Sequence, residues 1–283
     1  MRVMTLALMF VVCIVFEICI IHILSRNIRI PISSQIHIAF LGDSHIETAV
    51  NDSIIPRSIN LARSSESWPA IYAKVRLLLK ENIDTIVIGH QIEKYDGNAD
   101  EWIFRRKGFS VLRYFPILVD ECYIFIGKDI DWKYLRISRY FKYLIYKKLP
   151  IDWCGGYLHL ERDKLYDDIS RRQQSSNADA PKIYGRKYTD QYLHRVFQLC
   201  EEHNVTLIFL GTPLYHANEY YNLDPFESFK EKVKDKAIVL DYTELSLPDS
   251  CYGDIQHLNY RGSYVFSNLL KQDFDNLVWE NCQ

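Results

Sequence analysis

The order of apolar segments in this sequence predicts an α/β protein, a three-layer sandwich with helices on both faces of a central, mostly parallel sheet. Short runs rich in Ile, Val and Leu alternate with longer stretches in which apolar residues recur at helical spacing. The chain has 283 residues, of which 48% are hydrophobic. This is enough for one α/β domain with a sizeable core and an insertion, or for two smaller units; we favour one domain.

Each element follows from its own pattern. The segment 68–81 has apolar residues at Ala70, Ile71, Val75 and Leu78, the rhythm of a helix with one buried face. The predicted helices are residues 68–81, 188–203 and 260–274, and the predicted strands are residues 36–41, 58–61, 85–89, 206–210 and 237–240.

The alternation of strands and helices lapses between about residues 96 and 187, which we interpret as an insertion or cap. Residues 132–149 in this region are rich in aromatic and basic side chains. We interpret them as a cap helix whose cations are solvated. The alternative is a helix that lies on a membrane surface or holds an acidic glycan.

The amino-terminal segment predicts a membrane anchor. Residues 3–24 are almost wholly apolar and reach the ~20 residues that cross a bilayer. We therefore predict a single transmembrane helix within residues 1–25, followed by the α/β domain in residues 33–283. A cleaved signal peptide is the alternative, but no small-residue cleavage site follows the apolar run. Arg2 on one side and Arg26 and Arg29 on the other leave the orientation undecided by charge.

Composition excludes several classes of function. The formal charge is −2, which gives no general attraction to nucleic acid. Outside the anchor the sequence has five cysteines, without Cys-x-x-Cys spacing, so no zinc site is expected. Buried thiols are the preferred interpretation, with one disulfide as the alternative. We expect neither a metal nor another cofactor.

Two short motifs at opposite ends of the predicted domain together supply a serine, a histidine and a carboxylate. Gly42-Asp43-Ser44-His45 directly follows the first predicted strand, so Ser44 lies on a strand-to-helix turn at the carboxyl edge of the sheet. Asp254-Ile255-Gln256-His257 precedes the last helix. A serine becomes a nucleophile when a base removes its proton, and a carboxylate can orient that base. The predicted catalytic residues are Ser44, His257 and Asp254; taken singly, Ser44 could equally be a helix cap.

The two motifs resemble those of the SGNH (GDSL-type) hydrolase superfamily, which has a flavodoxin-like sandwich fold. The resemblance implies an oxyanion hole formed by the Ser44 amide and by two further blocks of sequence. Ser65 stands where the second block normally has glycine, and Gln91 stands in the third block, Gly89-His90-Gln91-Ile92, in place of asparagine. Ser65 can offer its backbone amide and Gln91 its side-chain amide. Alternatively, these are a turn residue and a surface residue.

Five more residues are candidates for the pocket: Asp43, His45, Asn60, His90 and Tyr215. His45 is expected mainly to pack. Asn60 is expected to hold the loop after the second strand through bonds to the backbone. Tyr215 follows a predicted strand and so reaches the same edge of the sheet.

The leading hypothesis is a membrane-anchored serine esterase or O-acyltransferase that acts on acyl esters of an envelope polysaccharide or related glycan. Membrane-anchored members of the superfamily that this sequence resembles commonly act on envelope glycans. The resemblance therefore implies a single-pass protein whose domain lies on the non-cytoplasmic side. It also implies a partner in polysaccharide biosynthesis. A second hypothesis is a catalytically lapsed domain that binds glycan or scaffolds an export assembly. A third is a metal site formed by Asp43, His45, Asp254 and His257.

Overall fold

The computed structural model describes residues 27–90, 100–104, 112–114, 117–118, 146–174 and 185–280, and six positions nearer the amino terminus: Met9, Val12, Phe16, Cys19, Ile20 and Ile23. Most of the predicted anchor, residues 1–25, lies outside this set, as do residues 132–145 of the basic aromatic segment. None of the helices among the described residues has the length and apolar character needed to cross a membrane.

The centre of the fold is a sheet of five parallel strands in the order β2-β1-β3-β4-β5. The strands are β1 (Ile38–Leu41), β2 (Ser58–Asn60), β3 (Thr85–His90), β4 (Thr206–Gly211) and β5 (Ile238–Asp241). The prediction of an α/β fold with a parallel sheet is confirmed. The chain leaves β1 for β2 on one side and then returns to β3 on the other. Ligands of open parallel sheets bind at the carboxyl ends of strands where the order reverses in this way.

The helices of the described residues include three that the sequence pattern predicted and several that it did not. They are α1 (Ser44–Ala49), α2 (Trp68–Leu78), α3 (Glu101–Phe104), α4 (Ile151–Cys154), α5 (Leu165–Gln174), α6 (Lys187–Glu202), α7 (Ala217–Tyr220), α8 (Asp224–Val233) and α9 (Tyr260–Glu280), with a 3₁₀ helix at Asp249–Cys251. The predicted helices correspond to α2, α6 and α9.

Alternating side chains of the strands build two separate cores, one on each face of the sheet. Leu41 and Ile86 pack with α2 and α6 on one face. Phe40 and Val87 pack with α1 and α9 on the other. Because both faces are covered, the strands are apolar on both sides, which explains their continuous rather than alternating hydrophobic patterns.

Two glycines allow α1 to begin directly at the end of β1. Gly42 has a φ of +144°, a conformation that other residues rarely adopt. Gly89 of β3 lies against Ile46 of α1, and a Cβ on Gly89 would come within 2.1 Å of Ile46 Cγ1. The first turn of α1 is therefore pressed onto the sheet, which fixes the position of Ser44 relative to β3.

The buried cysteines of the described residues are unpaired thiols: Cys154, Cys200 and Cys251. Burial raises the pKa of the Cys154 and Cys200 thiols to about 12. These two side chains are therefore protonated and belong to the packed interior.

Candidate active site

Ser44 lies on the turn between β1 and α1, at the carboxyl edge of the sheet. Asp43 caps α1, since its side chain accepts a hydrogen bond of 3.1 Å from the His45 amide. The capping role that Ser44 could have taken therefore belongs to Asp43. The Ser44 hydroxyl is half-buried and bonds instead to His257.

Asp254 and His257 lie on a tight loop, residues 252–259, that leads from the 3₁₀ helix into α9; we call it the acid–base loop. The Gly253 amide donates to the His257 carbonyl at 2.8 Å, which closes the loop on itself. The Asn259 side chain donates to the Tyr252 carbonyl at 3.1 Å, which joins the end of the loop to its beginning. These bonds within the loop fix the backbone on which Asp254 and His257 stand.

The three predicted catalytic side chains form one continuous hydrogen-bonded series. The Ser44 Oγ lies 2.8 Å from His257 Nε2, and His257 Nδ1 lies 2.8 Å from Asp254 Oδ1. The side chains of Asp254 and His257 are 4% and 15% exposed. A carboxylate on Nδ1 selects the tautomer in which Nε2 accepts the hydroxyl proton of Ser44. This is the geometry of a nucleophile, its base and the group that orients the base.

Asp254 is held in its charged form. Burial alone would raise its pKa, but the His257 side chain, the Gln256 amide and the Arg162 guanidinium together hold the pKa well below the usual range. The amides of Gln256 and His257 both donate to Oδ1 at 2.9 Å. Arg162 Nη1 donates to Oδ2. The carboxylate therefore stays ionised at any pH at which His257 could act as a base.

Asn60 is the last residue of β2, at the start of the loop that follows this strand, and it is 1% exposed. Its Nδ2 donates to the carbonyls of Ile46 at 3.1 Å and Val50 at 2.7 Å, in and just after α1. Its Oδ1 accepts from the Ala62 amide at 2.8 Å. Among the described residues, all three of these partners of the Asn60 side chain are backbone groups. Asn60 joins the helix that carries Ser44 to the loop that carries Ser65.

Ser65 adopts the left-handed conformation, with a φ of +61°. Glycine reaches this region without steric cost, which is why glycine is expected at this position. The neighbouring Ser64 donates from both its amide, at 2.8 Å, and its hydroxyl to Glu47 Oε2 of α1. Among the described residues, none accepts a hydrogen bond from the Ser65 amide. That amide is thus a candidate donor to an oxyanion.

A buried ion pair lies directly behind this loop. Lys74 Nζ donates to Glu66 Oε2 and to the Leu61 carbonyl, so it contacts the loop at both ends. The Tyr114 hydroxyl donates to Glu66 Oε1 at 3.1 Å. Burial raises the pKa of Glu66 and lowers that of Lys74, and the attraction between the two charges opposes both shifts.

The other candidate pocket residues differ in position. His45 is 9% exposed, and its ring lies 4.8 Å from the His257 ring, centroid to centroid, so it packs against the base. Tyr215 is 8% exposed, and its ring centroid lies 5.2 Å from that of Tyr252, the first residue of the acid–base loop. His90 ends β3, and nothing is described of its side chain. Gln91 lies outside the described residues, so its place in an oxyanion hole stays a prediction.

The metal hypothesis finds no support in the site. No group of three or more His, Cys, Asp or Glu side chains among the described residues is arranged to hold a metal ion. Asp43 caps α1, and Asp254 is bonded to His257 and Arg162. The four residues of that hypothesis serve the hydrogen-bonded series or the turn that carries it.

Sequence reasoning missed four residues that hold the site: Glu47, Glu66, Lys74 and Arg162. One of them left a signal, because Lys74 falls within the apolar stripe of α2, between Ile71 and Leu78. A charged residue on a buried face implies a buried partner. Arg162 gave no such signal, since it comes from the insertion and is separated from Asp254 by 92 positions.

A parallel α/β sheet that carries a Ser–His–Asp series at its carboxyl edge occurs in more than one class of serine hydrolase. The SGNH (GDSL-type) superfamily, which the two sequence motifs resemble, is one of these classes. No family model and no curated protein sequence matches the chain. Among solved structures it is similar to a GDSL-like lipase from Bacteroides thetaiotaomicron. The similarity covers 89% of this chain and 94% of that chain, with 9% sequence identity and a TM-score of 0.43.

Proposed function

We propose that this protein is a serine esterase or O-acyltransferase, anchored in the membrane, that acts on acyl esters of an envelope polysaccharide or related glycan. One observation carries the proposal: the continuous contact from Ser44 through His257 to Asp254, with 2.8 Å at each step. A half-buried serine hydroxyl bonded to an oriented imidazole is the requirement for nucleophilic attack on an ester carbonyl.

The chemistry follows from these positions. His257 Nε2 takes the hydroxyl proton as Ser44 Oγ bonds to the ester carbonyl carbon, and Asp254 stabilises the imidazolium that forms. The carbonyl oxygen becomes an oxyanion, for which the amides of Ser44 and Ser65 and the Gln91 side chain are the proposed donors. The imidazolium then gives its proton to the leaving alcohol, and an acyl group remains on Ser44.

A second nucleophile completes the cycle. Water releases the acyl group as an acid, whereas a sugar hydroxyl accepts it as a new ester. In both cases His257 removes the proton of the incoming hydroxyl and returns it to Ser44. Hydrolysis and transfer therefore use the same residues, and the proposal includes both.

The membrane and glycan parts of the proposal have separate support. At the described positions near the amino terminus, Met9, Phe16 and Ile23 are helical and 60–65% exposed, so these apolar side chains are not covered by the domain. A bilayer would cover them. The glycan substrate and the non-cytoplasmic side rest on analogy with anchored members of the resembling superfamily.

Labelling with a fluorophosphonate probe tests the enzyme. The full-length protein should react and Ser44→Ala should not. Ser53→Ala should react like the wild type, because Ser53 is exposed and, among the described residues, bonds to Asn51 alone. A folded wild-type protein that does not label would overturn the proposal in favour of the glycan-binding scaffold. Turnover of an aryl acetate with and without an added acceptor glycan then separates hydrolysis from transfer.

Alkaline carbonate extraction tests the anchor. The intact protein should remain in the membrane pellet, and a form that begins at Ser33 should be released. Release of the intact protein would contradict the anchor and leave the proposed chemistry untouched.

A further inference from the structure

An extended segment of the insertion, residues 156–164, crosses the candidate active site; we call it the strap. Its first half bonds to two of the three parts of the site. The Gly156 amide donates to the Ala62 carbonyl at 3.1 Å, in the loop that carries Ser65. The Leu158 amide donates to the Glu47 carbonyl at 2.7 Å, in the helix that begins with Ser44.

The second half of the strap bonds to the third part, the acid–base loop. The Lys164 amide donates to the Gly253 carbonyl at 2.9 Å, just before Asp254. The Tyr260 amide donates to the Leu160 carbonyl at 2.9 Å, just after the loop. A Cβ on Gly253 would lie 2.9 Å from Leu160 Cδ2, so the two segments pack closely. The strap is thus fixed on both sides of Asp254.

Arg162 lies between these two attachments and reaches the carboxylate. Its Nη1 donates to Asp254 Oδ2. The other oxygen, Oδ1, is occupied by the His257 ring and by two loop amides. The Arg162 side chain is 44% exposed, whereas that of Asp254 is 4% exposed. The guanidinium therefore completes the bonding of a carboxylate that is otherwise shielded from solvent.

We propose that Arg162 is a positioning residue for the reaction proposed above: it holds Asp254 in the orientation that serves His257 and takes a share of the carboxylate charge. This inference rests on the proposed function. It assigns to the insertion a role in catalysis, since the strap is the element that presents Arg162.

The charge sharing has a predictable sign. Among the described residues, the charged or titratable groups that face His257 are Asp254 on its own loop, His45 from α1 and, through Asp254, Arg162 from the strap. A cation next to Asp254 reduces the stabilisation that the carboxylate gives to a protonated imidazole. The loss of Arg162 should therefore move the acidic limb of the kcat/KM profile to higher pH.

The test compares Arg162→Gln, Arg162→Lys and a control, Arg171→Gln, in the full-length protein with an aryl acetate as substrate. Arg171 is a suitable control because its side chain is 68% exposed and its ion pair among the described residues is with Asp168 of the same helix. We expect Arg162→Gln to lower kcat on the order of ten- to a hundredfold with little change in KM. Its acidic limb should move up by roughly half a pH unit.

Arg162→Lys keeps the charge and loses the guanidinium geometry, so the limb should return to its wild-type position while kcat recovers only in part. Should the Gln variant fail to fold, a shifted limb in the folded Lys variant overturns the proposal. An Arg162→Gln variant with the kcat and limb of Arg171→Gln also overturns it, as does a lower kcat and melting temperature with an unmoved limb. In these cases Ser44-dependent labelling of the wild type shows that the proposed function still stands. Absence of that labelling overturns both.

Discussion

Lys74 and Glu66 form an ion pair in the interior of the protein, with side chains 0% and 2% exposed, directly behind the loop that carries Ser65. Lys74 also donates to the Leu61 carbonyl at the start of that loop. Two buried charges gain little net stability over an apolar pair, but the removal of one leaves the other uncompensated. Because Lys74 bonds to Leu61 and to Glu66, the intact pair also joins the two ends of the loop that carries Ser65.

Lys74→Met should destabilise the protein by about 3–5 kcal/mol, because it leaves Glu66 buried without its cation. Urea denaturation at neutral pH measures the loss. The double variant Lys74→Met/Glu66→Gln removes both charges and keeps an oxygen for the Tyr114 hydroxyl, so it should be more stable than Lys74→Met. Equal stability of the two variants would show that the pair is not coupled in this way.

Ser65→Gly should keep kcat within about twofold of the wild type, since glycine adopts the left-handed conformation freely. Ser65→Val should lower stability by about 1–2 kcal/mol and also lower kcat, because a branched side chain resists this conformation. Arg57 is a matched control, because its φ is +59° but it precedes the amino end of β2, whereas Ser65 follows the carboxyl end of the same strand. Arg57→Val should lose stability without losing kcat. A Ser65→Val variant with wild-type turnover would exclude the Ser65 turn from the oxyanion hole.

Asn60→Ala should cost about 2–3 kcal/mol, because the Ala62 amide and the carbonyls of Ile46 and Val50 each lose a hydrogen bond to its buried side chain. The Ile46 carbonyl keeps its bond from the Val50 amide. Asn82→Ala is the matched control, since Asn82 is exposed and its side chain makes one bond within the described part of the chain, to the Ser34 carbonyl; this variant should stay within about 0.5 kcal/mol of the wild type. Thermal or urea unfolding gives both values. Similar losses in the two variants would mean that the buried bonds of Asn60 have no special weight.

Asp254 predicts a pH-dependent part of the stability. Its pKa is lowered in the folded protein, so it stabilises the fold above the unfolded-state pKa of about 3.9 and this contribution is lost as the pH falls towards the folded value. Asp254→Asn should therefore be less stable than the wild type at pH 7, and the difference should shrink below about pH 4. Unfolding midpoints of both proteins, measured at pH 7 and below about pH 4, give this difference in stability. A difference that is the same at both would show that the charge of Asp254 does not contribute.

Turnover offers an independent measurement on the same variant. Asp254→Asn should lower kcat by orders of magnitude, because an amide no longer selects the tautomer of His257 that accepts the Ser44 proton. The fold should survive at pH 7, as checked by circular dichroism. Wild-type turnover by this variant would remove Asp254 from the proposed mechanism.

Much of the fold could be predicted from the sequence, because the apolar runs are short and continuous. Phe40 and Val87 fall in predicted strands and in the observed sheet. The helices α3, α4, α5, α7 and α8 were not predicted, and α1 was implied only by the strand-to-helix turn that carries Ser44. α3, α4 and α7 have four residues each, and most of the ten residues in each of α5 and α8 are polar, so none of these five shows a long apolar pattern. The ladder of β1 begins at Ile38, two residues later than predicted.

The residues of the candidate site also differ in whether a local sequence pattern could reveal them. Ser44, Asp254 and His257 stand in two local motifs, and local geometry already limits where their side chains can go. Ser44 follows a strand, and Asp254 lies three residues before the histidine that it orients. The remaining contacts join segments that are distant in sequence, such as Lys74 with the loop behind Ser65, or Arg162 with Asp254.

By itself, therefore, the sequence determined the class of fold and the residues of the hydrogen-bonded series, because periodicity and short motifs are local properties of a chain. The tertiary structure decided how that series is held: Asp43 rather than Ser44 caps α1, Asn60 joins α1 to the Ser65 loop, and the strap brings Arg162 to Asp254. These contacts depend on which loops the sheet places side by side. Their partners are far apart along the chain, so no local pattern records them.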